Sequence, residues 1–152
     1  MKVICDTREK KNGHVLKCFE MMGVPYEVKK LDTADYKIEG KDDIVIDRKQ
    51  NLEELARNLT NKSDKSRFWK EVRRSFRDKT KMIVLCEHSR NITCIDDVAN
   101  WHSKFSPVSG RSLMDEIYRV RIAYGIEFIF CSKADTGKRI LELLEYDKCI
   151  RE

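Results

Sequence analysis

Short apolar segments alternate with helical patterns along this chain, and that order constrains the fold more than any other feature. Strands are predicted at residues 1–5, 26–31, 35–38, 44–46, 82–85 and 128–130. Helices are predicted at residues 12–22, 51–59, 65–79, 112–124 and 134–145, where apolar residues recur at helical spacing. Strands and helices in this order are typical of an α/β sandwich, in which helices cover both sides of a mixed central sheet.

Turn and cap residues refine this outline. The turn-prone segment 39–42 separates two short strands, and we expect residues 26–46 to form an antiparallel three-stranded meander. Asn51 is placed to cap the second helix, Gly125 to end the fourth and Ser132 to begin the last.

The composition fits one compact domain, because a chain of 152 residues with 41% hydrophobic content can bury a single core. We recognise no secretory leader and no apolar run long enough to cross a membrane, so the protein is expected to be intracellular and soluble, in the cytoplasm or the nucleus. The six cysteines include no C-x-x-C pair and are interpreted as reduced thiols. The proximity of Cys86, His88 and Cys94 along the chain is only a weak argument for zinc.

Charged residues that follow an apolar strand form the most informative pattern. Asp47 and Lys49 follow the run 44–46, and since alternate residues of a strand share a side, Arg48 would point away. Asp35 begins a neighbouring strand, and pairing of the two strands would bring its carboxylate to Asp47. Two close aspartates suit Mg²⁺, which polarises a phosphoryl oxygen and activates water, while a lysine can deprotonate or orient that water or stabilise the transition state. By spacing alone the pattern is weak, because such residues are often solvated surface charges.

Three ordered motifs make the sequence recognisable. They are Cys5-Asp6-Thr7-Arg8-Glu9, Ala34-Asp35-Tyr36 and Val45-Ile46-Asp47-Arg48-Lys49, the last with Glu53 downstream. This set resembles the nuclease domain of the XPF-type structure-specific endonucleases, which belong to the restriction-endonuclease-like superfamily. The family pattern reads D-T-R-E, then G-D-Y, then E-R-K and a further acidic residue, so Ala34 stands in place of a glycine and Asp47 in place of a glutamate.

The resemblance implies a fold, a cofactor and a reaction. The fold would be the restriction-endonuclease-like three-layer sandwich, with residues 1–152 forming one nuclease domain without a helix-hairpin-helix module. The protein would hydrolyse phosphodiester bonds in branched, flapped or nicked DNA, using Mg²⁺ or, as a substitute, Mn²⁺. A homodimer or a separate DNA-binding subunit is expected. A non-catalytic DNA-binding or scaffold subunit is the alternative, because some domains of this type have lost their acidic residues.

Residue roles follow from the same resemblance. The catalytic residues that it implies are Asp6, Arg8, Glu9, Asp35, Asp47, Arg48 and Lys49. Asp35 and Asp47 would bind the metal ion, and Lys49 would lie beside the attacking water. Arg48 would make a phosphate or structural contact.

Three further expectations concern residues near this site. Arg8 would clamp a phosphate, although an ion pair with Glu9 or Asp35 is the structural alternative. Glu87, at the end of an apolar strand, is expected to add a carboxylate to the cleft. Segment 91–110 lacks periodicity and is expected to be a connector with its own small apolar cluster.

The helix predicted at residues 65–79 has two faces. The apolar face carries Phe68, Trp69, Val72 and Phe76, and we expect Trp69 in the core. The opposite face carries the candidate DNA-binding residues Arg67, Lys70, Arg74 and Arg77. A basic face of this kind can follow a DNA backbone or can simply be solvated, and the resemblance favours an active-site role for Arg67.

Overall fold

A computed structural model of the protein describes residues 1–61, 66–88 and 91–152. The start of the helix predicted at residue 65 lies outside this part of the chain. The strands are β1 (Val3–Cys5), β2 (Tyr26–Val28), β3 (Tyr36–Ile38), β4 (Ile44–Lys49), β5 (Lys81–Glu87) and β6 (Glu127–Cys131). The helices are α1 (Gly13–Met21), α2 (Leu52–Thr60), α3 (Arg67–Asp78), α4 (Gly110–Tyr124), α5 (Thr136–Leu143) and α6 (Tyr146–Arg151).

The strands form one mixed sheet in the order β2-β1-β3-β4-β5-β6. Two apolar clusters cover its faces. One contains buried side chains of α2, α3 and α4, and the other contains those of α1, α5 and α6. The strand β5, which is paired on both sides, contributes to both clusters, since Val84 belongs to the first and Leu85 to the second. The predicted α/β three-layer sandwich is confirmed.

The predicted antiparallel meander is wrong at its first strand. β2 pairs in parallel with β1 and is not a neighbour of β3 in the sheet. The strand that pairs antiparallel with β3 on this side is β1. The helix α1 lies between β1 and β2 in the chain and provides the crossover that a parallel pair requires. The hairpin of β3 and β4 is antiparallel as expected, with Tyr36 opposite Ile46.

The predicted helix boundaries hold in part. The Asn51 side chain accepts a hydrogen bond from Glu54 N and caps α2, and Gly125 ends α4 with a φ of 67°. Ser132 does not cap the last helix, because its hydroxyl donates to the Asp135 carboxylate and a short 3-10 helix comes before α5. That helix ends at Leu143, close to the predicted residue 145, and after Glu145, which has a φ of 56°, the chain forms a further helix, α6, that was not predicted.

Two packing predictions are corrected. Phe76 is 59% exposed, with its ring against the edge of Tyr124 on α4, whereas Trp69 is buried as expected. In segment 91–110, Val98 packs into the core of α2, α3 and α4 and does not belong to a separate cluster. Gly110 makes that packing possible, because a Cβ at this position would lie 2.2 Å from the Val98 carbonyl oxygen.

The six cysteines are free thiols, with Cys5 and Cys86 buried and Cys94 exposed. Within residues 1–61, 66–88 and 91–152, no helix is both long and apolar enough to span a bilayer.

Candidate active site

The hairpin of β3 and β4 brings Asp35 and Asp47 together. Asp35 directly precedes β3, and its backbone N–H donates to the Ile46 carbonyl. Its Oδ2 accepts a hydrogen bond of 2.8 Å from Arg48 N, so both its backbone and its side chain are tied to β4. Ala34 just before it has a φ of 64°, a conformation that favours glycine, which the family pattern has at this position.

Alternation along β4 separates the functional side chains as predicted. Asp47 and Lys49 lie on the side of α2 and α3, where the Lys49 Nζ is 4.5 Å from the centre of the Phe68 ring. Lys49 Nζ is also 2.7 Å from Asp47 Oδ2, as an ion pair without hydrogen-bond geometry. Asp47 Oδ2 is therefore a buried oxygen that has no hydrogen-bond donor among the described residues.

The buried charges shift one another's protonation. Burial raises the pKa of Asp35 well above its usual range, and the negative charges of Asp47 and Glu9 raise it further. Burial alone would lower the pKa of Lys49, but Asp47 and Asp35 outweigh it and leave the pKa raised. Lys49 is accordingly an ammonium ion at neutral pH, and two carboxylates compete for its charge.

Glu71, on α3, is a site residue that the sequence analysis missed. It is buried, and its pKa is raised first by burial and then by the charge of Asp47. Arg67 Nε donates to Glu71 Oε1 over 3.0 Å. The sequence does contain a signal, because Glu71 is a single acidic residue between Phe68 and Val72 on the otherwise apolar face of α3. Burying a charge there without a partner would destabilise the fold.

Asp6 organises two arginines at the mouth of the cleft. The fully buried Asp6 carboxylate accepts hydrogen bonds from Arg8 Nε at 2.9 Å and from Arg67 Nη2 at 3.1 Å. Burial would raise the pKa of Asp6, but these arginines and the Leu31 N–H lower it. The structural alternative for Arg8, an ion pair with Glu9 or Asp35, is thus replaced by a pair with Asp6. Arg8 and Arg67 remain 40% and 43% exposed.

The opposite side of β4 holds a closed ion-pair network. Arg48 Nε donates to Glu9 Oε2 over 2.6 Å, and its Nη1 donates to Glu87 Oε1 over 2.5 Å. The Arg48 side chain is only 1% exposed, so its contacts are those of a structural residue. Glu87 also lies 2.9 Å from His14 Nε2 and does not line the cleft, which corrects its predicted role.

The remaining predicted residues are spread along α3. Arg67 lines the cleft, while Lys70 is exposed. Arg74 donates to the Asp32 carbonyl, and Arg77 pairs with its neighbour Asp78. These four residues share a stripe of α3, but the structure brings only Arg67 into the cleft.

Glu53, at the last acidic position of the family pattern, points away from the cleft. Its two carboxylate oxygens accept hydrogen bonds from Ser103 Oγ and Lys104 N, each 2.8 Å long. The next residue, Glu54, lines the cleft instead and accepts a bond from Gln50 N.

The cleft that these residues enclose has a volume of about 310 Å³. Its wall combines Asp35, Asp47 and Lys49 with the two exposed arginines, Arg8 and Arg67. In the described part of the chain, no three His, Cys, Asp or Glu side chains are arranged to hold a metal ion by themselves. A cation here would have two protein carboxylates and complete its shell with water or phosphate oxygens, as Mg²⁺ commonly does.

Comparison with known proteins agrees with this arrangement. A family model, the ERCC4 domain, matches residues 5–144. The chain belongs to the ERCC4 domain family. This confirms the XPF-type nuclease family that the motifs indicated.

Solved structures show the same fold for this ERCC4 domain. XPF from Aeropyrum pernix matches with a TM-score of 0.72 and 20% identity, over 97% of this chain and 65% of that one. XPF from Aeropyrum pernix in complex with DNA matches with a TM-score of 0.70, at the same identity and coverage. The ERCC4 domain thus spans about two thirds of the length of these relatives. No curated protein sequence gives a significant match.

Proposed function

We propose that this protein is a Mg²⁺-dependent DNA endonuclease that hydrolyses phosphodiester bonds. The observation that carries the proposal is the buried Asp47 Oδ2, which has no hydrogen-bond donor, beside an Asp35 whose pKa is raised by burial and by Asp47. Two buried carboxylates in this state are costly for a fold, since Lys49 is the one cation in ion-pair contact with Asp47 and a single backbone N–H bonds the Asp35 side chain among the described residues. A divalent cation supplies the missing positive charge, and Mn²⁺ would serve in place of Mg²⁺.

Asp35 and Asp47 would hold that cation. When bound, it would polarise a phosphoryl oxygen and lower the pKa of water at the site. The Lys49 ammonium, kept protonated by the two aspartates, would stabilise the negative charge that develops on the phosphate in the transition state. Of the roles that the sequence left open for this lysine, charge stabilisation and orientation of water therefore fit better than deprotonation.

Arg8 and Arg67 would bind the phosphate backbone at the cleft mouth. Asp6 fixes one side of each guanidinium, and the exposed remainder faces solvent. A guanidinium fixed in this way binds a phosphate with two hydrogen bonds and little loss of freedom. Lys70 would extend this contact along α3, whereas Arg74 and Arg77 would first have to leave their present partners.

The substrate class that we propose is branched, flapped or nicked DNA. The similar XPF structure in complex with DNA supports a DNA substrate. This chain spans 65% of that protein, and we propose that a second copy or a separate DNA-binding subunit completes the substrate-binding surface.

Cleavage assays test the proposal. Labelled flap, fork and duplex DNA would be incubated with the wild type, Asp47→Asn and the control Lys81→Met, each with Mg²⁺, Mn²⁺ or EDTA. Lys81 pairs with Ile44 at the other end of β4 and β5, away from the cleft. We expect metal-dependent cleavage by the wild type and the control, and a loss of at least about 10³-fold in Asp47→Asn, since a catalytic cation contributes several kcal/mol. Binding without cleavage in either metal would contradict the proposal and favour a non-catalytic DNA-binding subunit.

A further inference from the structure

A tight loop at residues 103–106 holds an aromatic side chain out in solvent. The Ser103 hydroxyl oxygen accepts hydrogen bonds from Phe105 N at 3.2 Å and from Ser106 N at 3.0 Å. Glu53 on α2 fixes the base of the loop through Ser103 Oγ and Lys104 N. An isolated bridge between His102 and Ser109 closes it. The loop is therefore organised by several polar contacts, although its most apolar residue takes no part in the core.

Phe105 is 85% exposed, more than any other large hydrophobic residue among those described. Exposed cations flank it, with Lys104 next to it in the loop and Arg57 across a shared depression of about 340 Å³. Neither cation pairs with a carboxylate in residues 1–61, 66–88 or 91–152. An aromatic ring between unpaired cations fits a nucleobase stacked on the ring, with its phosphates beside the charges.

The position of Phe105 relative to the cleft specifies which part of a DNA strand it would meet. Glu54 and Asn58 of α2 line the cleft, while the preceding residue of each, Glu53 and Arg57, lines the Phe105 depression. Adjacent residues lie about 100° apart around a helix with 3.6 residues per turn, so the two sites are neighbours on the surface of α2. A strand that leaves the cleft over α2 therefore reaches Phe105 within a few nucleotides.

We propose that Phe105, with Arg57 and Lys104, is a stacking site for an unpaired base of the DNA strand that leaves the cleft. The site selects DNA with a single-stranded arm, because a base within a duplex has no free face for the ring. Glu53 is a positioning residue for this loop and has no contact with the cleft. The inference rests on the proposed function and specifies its substrate class.

Binding measurements in Ca²⁺ test the site without requiring cleavage. The probes are a fluorescent flap DNA, a 12-nucleotide single strand and a fully paired duplex, and the variants are Phe105→Ala, Phe105→Trp and the control Ile122→Ala. Ile122 is a matched control, because it is 83% exposed and lies on α4, two residues before Tyr124, whose ring packs on Phe76. We expect Phe105→Ala to weaken flap and single-strand binding about tenfold and duplex binding less than about twofold, because base stacking contributes about 1–3 kcal/mol. Phe105→Trp should restore the affinity.

An abasic scan locates the base. In flap DNA with one abasic position moved along the single-stranded arm, the wild type should lose affinity at one position close to the junction, and Phe105→Ala should lose nothing further there. Equal binding by Phe105→Ala and Ile122→Ala would overturn the inference. If the wild type cleaves DNA in that case, the proposed function still stands. A wild type that binds no DNA overturns both, and a Phe105→Ala effect on sedimentation alone would assign the loop to a protein contact instead.

Discussion

The two faces of β4 both carry buried charged side chains but differ in how those charges are paired. On the first face, Asp47 and Lys49 face α3, and one carboxylate oxygen has no hydrogen-bond donor among the described residues. On the second, Arg48 donates to Glu9 and Glu87 and is sealed from solvent. Asp47, Arg48 and Lys49 are all buried and all belong to the same motif, so neither property distinguishes the two faces. Completeness of hydrogen bonding separates a structural network from a site prepared for a ligand.

The largest expected effect is on the first face, in the variant Lys49→Met. Methionine keeps the contact with the Phe68 ring but removes the ammonium, and DNA cleavage in single turnover should fall by about 10²–10⁴-fold. Lys81→Met, at the other end of the sheet, should cleave like the wild type. A rate for Lys49→Met within about threefold of the wild type would remove this lysine from the proposed mechanism.

On the second face, a substitution should lower the stability of the fold. Arg48→Met leaves Glu9 and Glu87 buried without their partner, and such a loss costs about 3–5 kcal/mol. Urea denaturation, monitored by circular dichroism, measures the change in the free energy of unfolding. Arg77→Met is the control, because Arg77 pairs with an exposed Asp78 on the surface of α3. If Arg48→Met unfolds at the same urea concentration as the control, the network does not have the structural role assigned to it.

The first face also predicts an unusual pH dependence. The folded-state pKa of Asp35 is raised above its unfolded value of 3.8, so the folded protein binds more protons than the unfolded chain above that pH. The contribution of Asp35 to stability is fully present below pH 3.8 and is lost as pH rises through the raised value. Without divalent metal, the free energy of unfolding should therefore fall as the pH rises over this window.

The same denaturation series in Asp35→Asn checks the assignment. Asparagine keeps an acceptor for Arg48 N but does not titrate, so the dependence on pH should become flatter. Asp115→Asn, at an exposed position of α4, should reproduce the wild-type curve. Identical slopes for the wild type and Asp35→Asn would show that Asp35 is not the titrating group.

The smallest expected effect is in His14→Asn. Its ring lies 2.9 Å from Glu87 Oε1, at the edge of the second face, and losing one such hydrogen bond costs about 1 kcal/mol. Cleavage should be unchanged, because neither residue lines the cleft. A cleavage defect above about tenfold, in a variant that remains folded, would show that the two faces are functionally coupled.

The sequence predicted those features that depend on local pattern. Alternation placed Asp47 and Lys49 together and Arg48 apart, and the Asn51 and Gly125 signals located two helix ends. Sheet order was not predictable in the same way. β2 has only three residues, and its parallel pairing with β1 depends on the α1 crossover, which the local pattern of residues 26–31 does not encode.

The residues of the site were likewise predictable only where they belong to the sequence motifs. Glu71 was missed because it enters the cleft from α3, 24 residues after Asp47 in the chain, and its proximity is set by packing of α3 on the sheet. Glu87 was assigned to the cleft because it ends an apolar strand, but its side chain points to the side of Arg48 and His14. In both cases the role depends on which side of the sheet the side chain occupies. That side is known only once the packing of the helices and the register of the strands are known.

Binding of Mn²⁺, followed by electron paramagnetic resonance as the ion is titrated into protein, tests the central claim most directly. The claim is that the incompletely bonded carboxylates of the first face hold the cation. It predicts that the wild type and Glu87→Gln bind Mn²⁺ alike, and that Asp47→Asn binds it at least about tenfold more weakly. Equal Mn²⁺ affinity in the wild type and Asp47→Asn would contradict it.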